Sequence, residues 1–312
     1  MTDIKTNSFR AWILASRPKT LTGCITPVII GSTLAYSYIT QHPESGQVFK
    51  IIPFVLCMLF AMFMQIDANL INDYYDFVKG TDREDRLGPE RACAQGWVTL
   101  PAMRVAIGIT TVLSCIAGLP LILYGVWWKL ILVGVACVIF CFLYTYGLSY
   151  IGMGDVLVLV FFGLVPVCVT FYLQTGTCDS TTILISLATG LVIDNLLMIN
   201  NFRDYEQDKI SGKRTLVVKL GKRTGGYLYL IIGLAAYATC VVALGIEHIA
   251  TFLLLSYITL HYKAWKKMMY IYEGKQLNGI LGMTARNIFL FGLILSLSII
   301  FQKYIENIAI LQ

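Results

Sequence analysis

Charge is scarce in this 312-residue chain: 13% of residues are Asp, Glu, Lys or Arg, against 57% hydrophobic, and the mean hydropathy is +0.71. That balance excludes a soluble domain with an ordinary solvated surface and marks an integral membrane protein. Histidine is nearly lacking, and His42, His248 and His261 stand apart on or near loops, so a histidine-based metal centre is not expected. The nine cysteines, Cys24, Cys57, Cys93, Cys115, Cys137, Cys141, Cys168, Cys178 and Cys240, show no CxxC spacing. They read as small buried hydrophobes, which excludes a disulfide framework and a zinc site. No GxxxxGK[ST] or GxGxxG occurs, so no nucleotide-binding loop is present. Strand alternation is also missing, and the apolar runs are too long for barrel strands.

What remains is apolar runs. A bilayer core of roughly 30 Å takes about 20 apolar residues per helix. Nine runs qualify, near 20–39, 51–75, 102–124, 128–147, 155–174, 181–202, 226–245, 249–270 and 283–302. The expected fold is all-α: nine transmembrane helices around a central cavity, in one integral-membrane domain over 1–312. With the N-terminus cytoplasmic, only Lys50, Lys129 and Lys303 of the 24 basic residues fall on the opposite face. The positive-inside rule then places the N-terminus in the cytoplasm and the C-terminus outside. The net charge of +6 follows largely from this loop bias. No basic-aromatic groove points to nucleic acid. The first run contains Pro27 and Gly31, lacks a small-residue cleavage site, and reads as a retained helix.

Two apolar runs end in polar clusters, Asn69-Leu-Ile-Asn72-Asp73-Tyr-Tyr-Asp76-Phe-Val-Lys79-Gly80-Thr-Asp82 and Asn200-Asn201-Phe-Arg203-Asp204-Tyr-Glu206-Gln-Asp208-Lys209. A carboxylate at a membrane-helix centre costs about 3 kcal/mol, so several together imply a bound cation. At 100° per residue Asn69, Asn72, Asp73 and Asp76 share one face of two turns, and Asn200, Asp204 and Asp208 share another. Hard oxygen donors in this arrangement suit Mg²⁺, which takes one or two carboxylates plus waters and substrate phosphate oxygens. Asp194 could extend the second polar face inward or be a packed, hydrogen-bonded acid.

Both clusters open into long, basic, glycine-containing cytoplasmic loops, 77–101 and 203–225, and long loops in compact proteins tend to carry function. Arg86, Arg91, Lys209, Lys213 and Arg214, with Lys219, Lys222 and Arg223, are placed to pair with phosphate oxygens. Acids at helix ends beneath basic loops suit a diphosphate leaving group, and a membrane cavity suits a polyprenyl tail. Loss of diphosphate leaves an allylic cation that aromatic faces stabilise. Tyr144, Tyr146 and Tyr150 are candidates for that wall, with membrane-interface packing as the alternative for each. Arg17-Pro18-Lys19-Thr20 is either a positive flank with Pro starting a helix or a reach toward an anionic acceptor.

These residues resemble the UbiA-type intramembrane aromatic prenyltransferases, from Ser16-Arg-Pro-Lys-Thr-Leu through both acidic motifs to the ninth helix. Asn72-Asp-Tyr-Tyr-Asp76-Phe-Val-Lys-Gly-Thr-Asp82 with Arg86-Leu-Gly-Pro-Glu-Arg91 resembles the branch acting on 1,4-dihydroxy-2-naphthoate. Gly212-Lys-Arg-Thr-Leu-Val-Val-Lys-Leu-Gly221 fits the same branch. The resemblance implies a central cavity capped by the two cytoplasmic loops. It also implies Mg²⁺ held by Asn72, Asp76, Asp204 and Asp208 against a polyprenyl diphosphate. The family's third acid of the first motif is replaced here by Gly80, with Asp82 as the substitute ligand, and its Tyr-x-x-x-Lys element is not matched. The implied reaction is metal-assisted prenyl transfer to 1,4-dihydroxy-2-naphthoate with loss of carbon dioxide, on the way to menaquinone, in a bacterial cytoplasmic membrane. Arg17, Lys19, Arg86 and Arg91 are then candidates for the acceptor carboxylate.

Two alternatives stand beside this reading. One keeps the enzyme class with another aromatic acceptor, such as 4-hydroxybenzoate, haem or homogentisate. The other is a cation-coupled transporter, which would place its acids near midplane on broken helices in paired repeats. Here nearly all the acids gather at one membrane face.

Overall fold

The computed structural model describes residues 4–80 and 86–310, with side chains described as far as Gln302. Every regular element among them is helical. In chain order they are α1 (Phe9–Ser16), α2 (Leu21–Gln41), α3 (Ile51–Val78), α4 (Leu100–Gly118), α5 (Trp127–Leu143), α6 (Gly154–Val158) and α7 (Val165–Thr175). There follow α8 (Ser180–Arg203), α9 (Tyr205–Ile210), α10 (Leu216–Leu220), α11 (Lys222–Leu244), α12 (Ile249–Leu253), α13 (Leu255–Ile271) and α14 (Leu277–Ile310). Local chemistry sets several starts. Asp179 accepts from Thr182 N at 2.7 Å to cap α8, and Ser8 and Thr215 cap α1 and α10 in the same way.

Eight segments among the described residues are long and apolar enough to cross a membrane, so the chain is a multi-pass membrane protein. The run at 249–270 is not one of them, because it breaks at Leu254 and carries Lys263, Lys266 and Lys267. Its path is nevertheless fixed at both ends. Ile249 N bonds to Gln302 Oε1 at 3.1 Å, at the end of the molecule where α11 finishes. The other end of α13 leads to Glu273, 3.9 Å from Lys222 at the start of α11. Thus α12 and α13 together run back along the length of α11.

Prolines redraw two other runs. Pro120 cannot donate to the ladder, and the third span ends in a 3₁₀ segment, Leu119–Tyr124. Ahead of Pro166 the backbone takes a π-helical stretch, Leu159–Leu164, between α6 and α7.

The core centres on α8. Its Ile185, Ala188 and Val192 pack with Ile30 and Ala35 of α2, Val167 and Phe171 of α7, Ala236 and Cys240 of α11, and Phe291 and Leu295 of α14. Hydrocarbon offers little drive for helix association, so small residues that permit close backbone approach matter. A Cβ on Gly163 would meet Gly190 Cα at 2.7 Å and Ser186 O at 2.6 Å, which is how the π-helical stretch lies flush on α8. By contrast α5 is peripheral, with Cys137 as its buried residue. That leaves room on its inner side. Asp67, fully buried in α3, accepts from Thr110 Oγ1 at 2.5 Å and Thr111 Oγ1 at 2.7 Å and pins α4 to α3.

Candidate active site

A cavity of about 620 Å³ lies between α2, α3, α5, α7 and α8. On α3 it is lined from Cys57 to Asn72, fifteen steps of 1.5 Å along the helix, or about 22 Å. Most of the lining is apolar, including Phe60, Met64, Val138 and Phe161. One end is polar, with Thr20, Gln65, Asn72, Tyr144 and Asn200. Asp76 lies one helical turn beyond Asn72, about 6 Å further along α3.

The first acidic cluster divides by task. Asn69 donates to Ser16 O and Thr20 Oγ1, both at 2.9 Å, and ties the α1–α2 junction to α3. Asn72 takes a hydrogen bond from Thr145 Oγ1 through its amide oxygen. Asp73 is 1% exposed and accepts from Ala92 N at 2.8 Å and Cys93 N at 3.0 Å, so it anchors the covering loop. Asp76 is half-buried and accepts from Arg91 Nη2 at 2.8 Å. Asp82 lies outside the described residues.

The second cluster keeps its register through a break in α8. Asp204 N bonds to Asn200 O at 2.9 Å and Asp208 N to Asp204 O at 2.8 Å, so Asp204 and Asp208 stay one turn apart. Arg203, 3% exposed, grips both oxygens of Asp204 at 2.7 and 2.6 Å. Lys213 Nζ is 3.8 Å from Asp208 Oδ1, whereas the buried Asp208 Oδ2 has no hydrogen-bond partner. Asp208 is within electrostatic reach of Asp204 and Asp76, so the two motifs face one another. Asp194 is deep in α8 with an unpartnered Oδ1, near Asp155 at the start of α6.

The basic and aromatic candidates scatter more. Arg17 adopts a left-handed backbone at φ 50°, a conformation that marks strain in a non-glycine residue. Its Nη2 lies 3.9 Å from Asp73 and makes no hydrogen bond. Lys19, two residues on, is exposed on the outside of the turn. Arg86 and Arg91 lie in the covering loop. Lys209 and Arg214 are exposed; the former sits 5.8 Å over the Tyr205 ring, and the latter's N–H bonds to Tyr150 O at 2.8 Å. Of the three tyrosines, Tyr144 lines the cavity. Tyr146 is exposed, and with Tyr150 it flanks Lys79 Nζ at 5.2 and 4.7 Å from the ring centroids.

Three links carry no sequence signal of their own. Lys79 Nζ donates to Tyr146 O at 2.6 Å and Thr145 O at 3.2 Å, closing the π-helical turn Tyr144–Leu148 that presents Tyr144. Thr145 meets Asn72 across α3 and α5, and Asn278 of α14 meets both Arg203 and the covering loop.

Burial pushes the Asp208 carboxyl up to about 6, aided by Asp204 and Asp76 and opposed by Lys213 and Arg203. A carboxyl raised in the folded state gains stability when protonated, so the metal-free fold is stabilised as pH falls from about 6 toward 3.8. Metal binding requires the ionised form. Apparent affinity for a divalent cation is therefore expected to be level above pH 6 and to fall toward about tenfold per unit below it. Titration of Mn²⁺ between pH 5 and 7.5 would show this, and Asp208→Asn would flatten the profile.

Among the described residues no three His, Cys, Asp or Glu side chains could hold a metal by themselves. The acids are paired with bases instead: Asp76 with Arg91, Asp204 with Arg203, Asp208 with Lys213. The donor set is all oxygen, and the orphaned Asp208 Oδ2 fits a hard cation that completes its coordination with waters and phosphate oxygens.

The sequence matches the UbiA prenyltransferase family over residues 24–278. It is 37% identical over 230 residues to the 1,4-dihydroxy-2-naphthoate octaprenyltransferase of Escherichia coli K12, covering 71% of this chain and 72% of that protein. The Bacillus subtilis protein of the same name is 27% identical over 297 residues, 93% of this chain and 92% of its own. The fold is similar to that of a UbiA homologue from Archaeoglobus fulgidus solved bound to GPP and Mg²⁺. The TM-score is 0.61 at 15% identity, over 91% of this chain and 99% of that one.

Proposed function

The chain belongs to the UbiA prenyltransferase family, and from that premise we propose that it transfers a polyprenyl group from polyprenyl diphosphate to 1,4-dihydroxy-2-naphthoate. The observation that carries this reading is the apolar cavity, about 620 Å³, whose polar end opens beneath two facing carboxylate motifs and their basic partners. A lipid tail fits the cavity and a diphosphate fits its mouth. The names of the Escherichia coli and Bacillus subtilis relatives support naphthoate as the acceptor.

Asn72, Asp76, Asp204 and Asp208 would hold the metal, with Mg²⁺ supported by the oxygen donor set and by the Archaeoglobus fulgidus homologue. When bound, the cation supplies charge neutralisation for the departing diphosphate. Arg91 and Lys213, now on carboxylates, can turn to phosphate oxygens. Tyr144 presents an electron-rich ring at the cavity mouth, where positive charge develops on the prenyl carbon. The apolar walls exclude water, which would otherwise capture that carbon. The acceptor ring supplies the electron pair for the new C–C bond at the carbon bearing the carboxylate. The pair of the broken C–C bond restores aromaticity as carbon dioxide leaves. Arg17 is the residue assigned to that carboxylate.

The basic-residue asymmetry supports a cytoplasmic N-terminus and an outer C-terminus, and the bacterial relatives support a location in a bacterial cytoplasmic membrane. The return path of α12 and α13 supports nine crossings, in a single domain proposed over 1–312. With purified protein in lipid nanodiscs, carboxyl-labelled 1,4-dihydroxy-2-naphthoate and a polyprenyl diphosphate, labelled carbon dioxide and pyrophosphate are expected in equal amounts. Prenylation of 4-hydroxybenzoate with dihydroxynaphthoate left untouched would overturn the acceptor assignment.

A further inference from the structure

The covering loop is fastened to both acidic motifs, and one fastening comes from a third part of the chain. At its far end Ala92 and Cys93 donate to Asp73, and Arg91 pairs with Asp76. At its near end Leu87 O accepts from Asn278 Nδ2 at 2.8 Å, across 191 residues of sequence. The other end of the same amide, Asn278 Oδ1, accepts from Arg203 Nη1 at 2.9 Å. Arg203 in turn holds Asp204 through both of its oxygens. Gly88 lies flat on this guanidinium: a Cβ there would sit 2.8 Å from Nη2 and 3.3 Å from Cζ. The guanidinium is buried and held on three sides, so it cannot move aside as a flexible side-chain tip could.

We propose that residues 86–93 form a strap across the two carboxylate motifs, and that Asn278 is the positioning residue that holds its near end. Asn278 touches neither metal nor substrate in this reading; it acts through Leu87 and Arg203. Its two amide groups couple the strap to the second motif, so Arg86 and Arg91 stay over the place where a diphosphate would lie. Release of the near end leaves the far end on Asp73 and lets Arg86 leave the site. The inference deepens the diphosphate reading and rests on it for the role of the strap, although not for its existence.

The test uses the full-length protein and two readouts. Trypsin cleavage after Arg86 reports the near end directly and needs no substrate. Inorganic pyrophosphate with Mg²⁺ probes the anion site. Loss of one neutral hydrogen bond at this position is expected to raise cleavage and the pyrophosphate Kd each about three- to tenfold. Asn278→Asp separates the two bonds, because it keeps an acceptor for Arg203 and removes the donor to Leu87 O. It is expected to behave like Asn278→Ala, and Gly88→Ala, which forces the backbone off Arg203, is expected to follow. Cleavage at the wild-type rate in Asn278→Asp and Gly88→Ala would overturn the strap. Faster cleavage with unchanged pyrophosphate affinity would overturn its place at the diphosphate site. Failure of the underlying reading is a different result: wild-type protein that binds no pyrophosphate at all.

Discussion

Asp76→Asn and Asp204→Asn are each expected to lower prenyl transfer on the order of a thousandfold, and Asp76→Asn to leave the melting temperature within a few degrees of wild type. Both substitutions keep the size of the side chain, and Asp76→Asn keeps an oxygen for Arg91, whereas Asp204→Asn sets an amide NH2 against one of the two Arg203 N–H groups that bond Asp204. What they remove is the negative charge proposed to bring a divalent cation to the departing diphosphate. Asp73→Ala is the contrasting variant. Its carboxylate carries the Ala92 and Cys93 amides and is 1% exposed, so its loss strands two buried donors. Charge-assisted bonds of this kind are worth about 1.5–3 kcal/mol each, so Asp73→Ala is expected to unfold several degrees early. Measured together, turnover and melting temperature separate a ligand from an anchor only three residues apart. Wild-type turnover in Asp76→Asn and Asp204→Asn would remove the metal site from the mechanism and reopen the transporter alternative.

Much of the fold was legible because hydrophobicity over twenty residues is a strong signal. The runs at 51–75, 128–147 and 181–202 reappear as α3, α5 with its π-helical end, and α8. Where prolines or lysines interrupt a run the reading weakens, as at Pro120, Pro166 and the lysines of α13, because local backbone chemistry there competes with hydropathy. The two acidic ends were legible for a related reason: polar side chains at the end of an apolar run demand a physical explanation. Helical spacing alone did not give their division of labour, although the resemblance to the family set Asn72 and Asp76 apart from Asn69 and Asp73, the supporting residues. Helical spacing puts Asn69, Asn72, Asp73 and Asp76 on one face, yet Asn69 and Asp73 serve the α1–α2 junction and the covering loop. Which acid meets a loop amide depends on chain that returns nearly twenty residues later. The same limit hid Asn278, whose partners lie 75 and 191 residues away. Tyr146 and Tyr150 shared composition and neighbourhood with Tyr144, but the π-helical turn sends Tyr144 to the cavity and leaves the others around Lys79.

The electrostatics of the site point to how it waits for substrate. Three carboxylates in reach of one another would repel, and each has a basic partner from the same motif or its covering loop. A free dication meets those bases and a free diphosphate meets those acids, whereas a neutralised metal–diphosphate pair can exchange partners with both. The mouth of the cavity is therefore better suited to the complex than to either ion alone.

Arg17 stands apart from these pairs, and its removal is the second large effect expected. Its guanidinium is brought inward by a left-handed backbone between α1 and the 3₁₀ turn Pro18–Thr20, and its Nη2 has no hydrogen-bond partner. Asp73, 3.9 Å away, already accepts two amides, so Arg17 is held near the site without being consumed by it. A buried donor left in that state is suited to an anionic ligand, and the acceptor carboxylate is the anion that the carboxylate motifs do not serve. A charged hydrogen bond to a carboxylate is worth about 1.5–3 kcal/mol, so Arg17→Ala should raise KM for 1,4-dihydroxy-2-naphthoate roughly ten- to hundredfold. KM for the polyprenyl diphosphate should change by less than about threefold, because Arg91 and Lys213 remain. Arg17→Lys should recover part of the loss, since it keeps the charge and forfeits the planar fork. Lys19→Ala, on the exposed side of the same turn, should leave both constants near wild type. If Arg17→Ala instead raised KM for the diphosphate and spared the naphthoate, Arg17 would belong with the diphosphate, and recognition of the acceptor carboxylate would have to be sought on the strap, at Arg86 or Arg91.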